Sequence, residues 1–434
     1  MIKKIIIVFA TTLLAILVSC TKVPEITNPI KIESPSPKEA ISKVSLTTEQ
    51  QGYVQNGNAF AFNCMAELYK SVGNTMVFSP LSLQYALAMA VNGASGETAE
   101  EITSMLGYGS DIEALNEYCN LLLNQLPAVD LDVKLKLADA MIVNERFPVM
   151  DSYKRLMADT YYAPVEYVSM KDKEAVVARI NDWASRNTNG LIKNLLKNDD
   201  ITDDLVAAIL NALYFKAKWS GSKADPMFLP EVTLKNQPFY FEGGGQGKAD
   251  LMATTRHLPY TKQDGYEAVM IPYSNGNYAM YVLLPNEKGE NGLDKLVSAL
   301  PEISWPEVES SMTSNAEVHL RLPKFEAESR FELPDVLKAL GMRKAFVGKE
   351  AEFNRMFDVP DEWYFWISKV IQKACIRVSE WGTEAAAVTV ELMEGAADGP
   401  KPEEVYFYAD HPFVYLIAER TSGVILFEGV FTGK

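Results

Sequence analysis

The stretch Val378-Ser-Glu-Trp-Gly-Thr-Glu-Ala-Ala-Ala-Val-Thr-Val-Glu-Leu-Met-Glu-Gly-Ala-Ala-Asp-Gly-Pro400 decides how the rest of the chain is read. It opens as a strand, passes through small residues after Gly382, and ends in a Gly/Asp/Pro loop before a second strand-rich segment begins near Val405. At period two, Thr383, Ala385, Ala387 and Thr389 share one face, and all are small enough to slide between packed neighbours. Nothing in the stretch forms a catalytic constellation. It reads as a long exposed loop whose first half is able to become a strand.

Outward from this stretch the chain changes character. Upstream it is helical: Phe60, Cys64 and Leu68 recur at i, i+4, i+8 and Gly73 closes the run. Ser79-Pro80 supplies an N-cap and a first-turn proline for a helix that Gly93 stops, with Leu83, Leu87 and Ala90 on one face. Further helices are expected over Glu174 to Thr188 and Leu333 to Leu340. Strands are expected over Ala207 to Lys216, Tyr278 to Pro285, Val318 to Leu322, Trp363 to Ser379, Phe413 to Glu419 and Val424 to Phe431. Helices early and strands late point to an α+β fold with large, mostly antiparallel sheets, and no internal repeat is visible.

The 434 residues are 48% hydrophobic and 23% charged, enough to bury a large core. A formal net charge of −16 makes a nucleic-acid-binding surface a poor expectation. Residues 1–19 read as a secretory signal: a basic Met1-Ile-Lys-Lys start, an apolar run from Ile5 to Val18, then Leu17-Val-Ser-Cys20. That ending resembles a bacterial lipobox, with Cys20 as the lipidated residue. An ordinary signal peptide with an incidental cysteine is the alternative. From Thr21 to about Gln51 the chain is rich in Pro, Ser, Lys and Thr, and reads as a flexible tether that stays out of the core. The expected location is therefore exported and membrane-anchored, periplasmic or on the cell surface.

Enzyme motifs are absent or incomplete. His257, His319 and His411 lie in no metal-ligand pattern, and the widely spaced Cys64, Cys119 and Cys375 suggest buried free thiols rather than a disulfide or zinc site. There is no G-x-S-x-G elbow; Ser220 and Lys223 form an isolated S-x-x-K without its partner motifs. Gly243 to Lys248 lacks the first glycine and the Ser/Thr of a phosphate loop, and reads as a flexible connection between strands. No metal and no cofactor are expected.

Seven segments carry a resemblance. Asn74 to Ser82, Gly93 to Thr98, Ile180 to Trp183, Asn211 to Lys216 with Trp219, Leu322 to Phe325, Glu380 to Ala387 and His411 to Tyr415 resemble, in order, the signature segments of the serpin family. The resemblance implies one serpin domain over 52–434: helices around a large central sheet, further sheets, and a reactive-centre loop at about 380–404. It also implies a serine-type endopeptidase inhibitor, not an enzyme. A protease cleaves the loop, is held as an acyl-enzyme, and is trapped when the loop inserts into the central sheet. A covalent complex with a serine protease, with cysteine proteases as an open extension, and an otherwise monomeric chain are what follow. A non-inhibitory serpin acting as a surface binding protein is the alternative.

On this resemblance Glu380, Gly382, Thr383, Glu384, Ala385, Ala386 and Ala387 form the hinge. Gly382 supplies backbone freedom and Thr383 is the first inward residue. Ser79, Ser82, Asn211, Trp219 and Gln372 mark the region where the sheet opens, Gln372 standing where many members have histidine. Counting by the family's hinge length puts the scissile bond between Ala396 and Ala397, with Leu392 and Met393 as alternatives. Small residues there suit an elastase-like or subtilisin-like target, Leu392 or Met393 a chymotrypsin-like one. Trp381 stands where a charge is usual, Val388 is bulkier than usual, and Glu391 falls on the inward face, so that either late insertion is incomplete or the carboxylate reaches solvent near the end of the sheet.

Overall fold

The computed structural model describes residues 30, 35–202, 205–222, 224–289, 291–313, 316–360, 363–383 and 403–434. Residues 1–19, Cys20, the hinge residues Glu384 to Ala387, Glu391 and the expected scissile bonds at Leu392, Met393, Ala396 and Ala397 lie outside them.

Local chemistry sets the first helices. In α1 (Thr48–Val72) the Thr47 hydroxyl accepts from the Gln50 backbone N–H, and the Gln50 side chain accepts from that of Thr47. The helix buries Phe60, Cys64 and Leu68 and ends at Gly73, whose φ of 61° is left-handed. Helix α2 (Pro80–Gly93) is capped by Ser79 and is buried almost all round. Helices α3 (Gly96–Leu106), α4 (Ile112–Gln125), α5 (Asp151–Tyr161) and α6 (Lys173–Asn187) follow; α7 (Gly292–Ala299), α8 (Trp305–Ser311) and α9 (Pro334–Ala339) are short.

The strands, numbered along the chain, form three sheets among the described residues. One has the order β1 (Met76–Phe78), β16 (Ile425–Phe431), β15 (Phe413–Glu419), β9 (Tyr278–Pro285), β8 (Tyr266–Tyr273), β7 (Tyr260–Lys262). A second has β14 (Glu403–Tyr408), β10 (Ala316–Pro323), β6 (Gln246–His257), β5 (Leu234–Tyr240). The third carries the site: β11 (Phe325–Glu332), β12 (Ile371–Ser379), β13 (Gly382–Thr383), β4 (Ala207–Lys218), β2 (Lys134–Asn144), β3 (Val165–Val168). Among the described residues, only the β10–β14 and β2–β3 pairings are parallel. The main core joins α1 and α2 to the inner faces of the sheets, and a second cluster lies between α6 and the outer face of β2 and β4.

Three expectations need correction. The tether is shorter than 20–51 and less detached: residues 48–51 already belong to α1, and Ile30 and Val44 are buried. Isolated apolar residues in a proline-rich segment show no periodicity, yet Val44 packs into the main core and Ile30 into the second cluster. The Val44 and Ile41 backbone N–H groups bond to Thr421 and Ala128, and Arg186 donates to the Ile30 carbonyl. The strand expected over Trp363 to Ser379 begins only at Ile371, because residues such as Ile367 and Val370 bond singly to Ala345 and Leu333 instead of forming a ladder. Elements at α3, α4, α5 and β2 were not anticipated. The Gly243 to Gly245 turn does lie between two strands, although Gln246 to Lys248 already belong to β6, and the three described cysteines are buried and form no disulfide.

Candidate functional site

The site begins where β12 runs out. A turn at Glu380-Trp381 reverses the chain, and Gly382 and Thr383 enter the sheet between β12 and β4. Thr383 sits opposite Val378 on one side and Ala217 on the other; Gly382 sits opposite Ser379 and Lys218. Glycine is required at 382 for two reasons: its φ is 131°, and a Cβ there would lie 2.1 Å from the Ala217 carbonyl oxygen. Sequence reasoning assigned this glycine to backbone freedom and missed the close approach.

Thr383 is 1% exposed, as expected of the first inward residue. Its hydroxyl and the Tyr273 hydroxyl are 2.6 Å apart, and the Tyr273 ring stacks on Trp219 at 4.5 Å between centroids. Trp219 in turn donates through Nε1 to the Ser379 carbonyl (2.8 Å), tying β4 to the end of β12. The buried Glu380 carboxylate accepts from the Thr233 hydroxyl (2.9 Å) and pairs with Lys324 (3.0 Å). Burial pushes this carboxyl up, but hydrogen bonds from its own backbone N–H, from Lys324 and from Thr233 outweigh that and hold it below the usual range. Half-buried Trp381 accepts at its carbonyl from the Trp219 N–H.

Farther down the same strands lies a second polar cluster. Gln372 on β12 bonds to both backbone groups of Ser79, accepting from its N–H at 2.9 Å and donating to its carbonyl at 2.8 Å. The Ser79 hydroxyl donates to the Leu426 carbonyl (2.8 Å), and Ser82 donates to Asn211 on β4. Asn211 donates through Nδ2 to Asp139 on β2 (2.6 Å). Burial pushes the Asp139 carboxyl up to about 7, and its Oδ2 has no hydrogen-bond partner among the described residues.

The five residues assigned to sheet opening thus divide. Ser79, Ser82, Asn211 and Gln372 meet at the N-terminus of α2, where Gln372 bonds to both backbone groups of Ser79. Trp219 stands one residue past the end of β4, eight residues from Asn211, and contacts the turn that carries Thr383 through Ser379 and Tyr273. Sequence reasoning missed Tyr273, Thr233 and Asp139, none of which stands in the quoted segments; Lys324 did, within Leu322 to Phe325.

Strands β12 and β4 both run antiparallel to β13, so they run parallel to each other with the hinge wedged between their ends. Among the described residues they have no other strand between them. This arrangement can accept further residues of the same chain, one for one, into an existing register.

The comparisons agree with this geometry. A family model described as "Serpin (serine protease inhibitor)" matches residues 55–433. Serpin-Z2B of Triticum aestivum is 30% identical over 397 residues, covering 89% of this chain and 97% of the wheat protein. An "Uncharacterized serpin-like protein" of Methanosarcina acetivorans is 32% identical, covering 86% of this chain and 85% of its own length. Serpin48 of the insect Tenebrio molitor, a solved structure described as a highly specific serpin, superimposes with a TM-score of 0.76 at 27% identity, covering 90% of this chain and all of that one. With the fold, the wedged hinge and a family model spanning most of its length, the chain belongs to the serpin family.

Proposed function

We propose that this serpin inhibits serine endopeptidases by acting as a suicide substrate. The observation that carries the reading is Thr383, already buried between β12 and β4 and in register with both. Each further loop residue advances one step toward the start of both strands. Ala385 would face Phe215 and Ile376, and Ala387 would face Leu213 and Ala374, so small residues enter beside a larger one on at least one side. Thr389 would fall between Asn211 and Gln372, a hydroxyl entering the polar cluster. Glu391 would lie between half-buried Ile209 and Val370, one residue beyond the first residue of β12, where the sheet ends and a carboxylate can turn toward water.

The protease serine Oγ attacks the carbonyl carbon of the residue before the scissile bond, placed at Ala396. The C–N bond to Ala397 breaks, an ester forms, and the new amine leaves with a proton from the protease histidine. Insertion then removes the ester from the geometry that water-dependent deacylation needs. Ala396–Ala397 supports an elastase-like or subtilisin-like target. The lipobox-like Leu17-Val-Ser-Cys20 supports a separate proposal, a lipoprotein anchored through Cys20, which a Cys20→Ser variant tests by loss of palmitate labelling in cells. For inhibition, the test is incubation with pancreatic elastase and denaturing electrophoresis. A denaturation-resistant complex supports the proposal; complete loop cleavage without a complex refutes it and returns the chain to the non-inhibitory alternative.

A further inference from the structure

Nine large hydrophobic side chains are exposed among the described residues, and five of them gather at one end of the molecule: Tyr167, Val347, Trp363, Tyr364 and Trp366. Trp363 and Trp366 are 54% and 49% exposed. Trp363 packs edge-on against Phe147 (5.6 Å between centroids), and Trp366 covers Gly348 so closely that a Cβ there would lie 3.3 Å from the ring. Val347, Trp363 and Tyr364 wall one cleft of about 790 Å³. Tyr167 joins them through Val149, whose N–H donates to its hydroxyl and which pairs with Phe357 in the cleft wall. The rim is charge-balanced although the whole chain carries −16: Lys344 pairs with Glu97 (2.7 Å) and Glu352 (3.4 Å), and Arg343 and Lys349 stand among Glu101 and Glu350. Tryptophan and tyrosine beside a balanced rim suit a zwitterionic lipid surface, because their rings settle at the level of the headgroups.

The length of chain ahead of the described core argues for the same partner. Ile30 is buried in the cluster between α6 and the third sheet, and its carbonyl accepts from Arg186 (3.1 Å). Arg186 is in the last turn of α6, about 20 Å from the helix start at Lys173. That start follows closely on β3, which carries Tyr167. From Ile30 back to Cys20 the chain spans at most about 36 Å. A lipid on Cys20 thus reaches the level of the patch, and cannot let the body stray far from the bilayer. So short a leash presents the patch to the membrane at an effective concentration of about 1 mM, at which even a weak contact is occupied.

Resting on the Cys20 anchor proposed above, we propose that this aromatic face docks the uncleaved, anchored protein on its own bilayer, with Trp363, Tyr364 and Trp366 in the headgroup layer. The hinge lies at the far end of the same sheet. Residues 363–370 lead into Ile371, the first residue of β12, and Ser379, opposite Gly382, ends that strand about 25 Å away. Docking stands the sheet on end and turns the hinge outward, toward proteases in solution. A contact of millimolar strength yields when insertion draws an acyl-enzyme toward the docked end.

The test takes the full-length chain from cell membranes, reconstitutes it in phosphatidylcholine/phosphatidylethanolamine vesicles with brominated acyl chains, and reads quenching of tryptophan fluorescence. Trp183, Trp219 and Trp305 are buried, and Trp381 is half-buried at the hinge end, so Trp363 and Trp366 dominate the signal. The proposal expects the parent to be quenched, Tyr364→Asp and Val347→Asp each to lower the quenching at least threefold, and Tyr406→Asp, at an exposed ring on β14, to leave it unchanged. Flotation with the vesicles stays equal in all four. An anchored parent that brominated lipid does not quench, or quenching equal in Tyr364→Asp, Val347→Asp and the parent, overturns the proposal and leaves the anchor standing. A parent that fails to float overturns the Cys20 reading, and this one with it. Self-association of the Cys20→Ser chain, measured by sedimentation and abolished by Tyr364→Asp, would assign the face to a second copy and also overturn it.

Discussion

Replacing Thr383 by arginine attacks the hinge at its first buried position. Thr383 is 1% exposed, pressed between Val378 and Ala217, with its hydroxyl 2.6 Å from that of Tyr273. The nearest acid on the hinge, Glu380, already pairs with Lys324. A guanidinium forced into this position lacks a counterion, and an uncompensated buried charge costs several kcal/mol. If about 3 kcal/mol of that enters the insertion barrier, insertion slows roughly 150-fold. A parent that traps about ten times for each escape would then escape about fifteen times for each trapping. Titration of elastase with the variant reads this as a rise in the inhibitor needed per protease. The loop itself stays cleavable, since the substitution lies far from Ala396. Thr383→Ser keeps the size and the hydroxyl and is expected to behave like the parent. An arginine variant that titrates elastase as the parent does would refute the reasoning.

Gly382→Ala places a Cβ 2.1 Å from the Ala217 carbonyl at a φ of 131°, so it is expected to expel the hinge strand and to speed cleavage of the loop by added protease; limited proteolysis reads the change. Gln372→Ala removes both bonds to Ser79 and leaves the buried Ser79 N–H unpaired, while the Ser79 carbonyl keeps the Leu83 N–H; a loss of about 1–3 kcal/mol is expected, which urea unfolding of the uncleaved protein detects. Asp139 has a folded-state pKa raised to about 7, so the folded state holds a proton that the unfolded chain releases. Its contribution therefore erodes stability as pH climbs from about 4 through 7, by on the order of 2–4 kcal/mol. Asp139→Asn is expected to lose that difference between pH 5 and pH 8, and an unchanged difference contradicts the assignment.

Helix boundaries were legible where a cap and a periodic face coincided, as at Ser79 and Gly73. The hinge was legible because its demands are local: a glycine, then small residues at period two. Burial on both faces hid β2, whose Ala138 to Asn144 run shows no alternation. Trp363 to Val370 looked like a strand because it is aromatic and apolar, but its backbone partners are Ala345, in a single 3-10 turn, and Leu333, the N-cap of α9, so no ladder forms. Tyr273 and Asp139 were invisible for a different reason. Their roles depend on which strands stack beneath Thr383 and beside Asn211, and that is set by tertiary packing alone.

Insertion itself is read most directly by amide hydrogen exchange along β4 and β12, before and after elastase cleavage. The account predicts a large gain of protection over 207–216 and 371–377 in the cleaved protein, as Glu384 to Met393 complete the strand that Gly382 and Thr383 begin. Unchanged exchange in both strands after complete cleavage would contradict it.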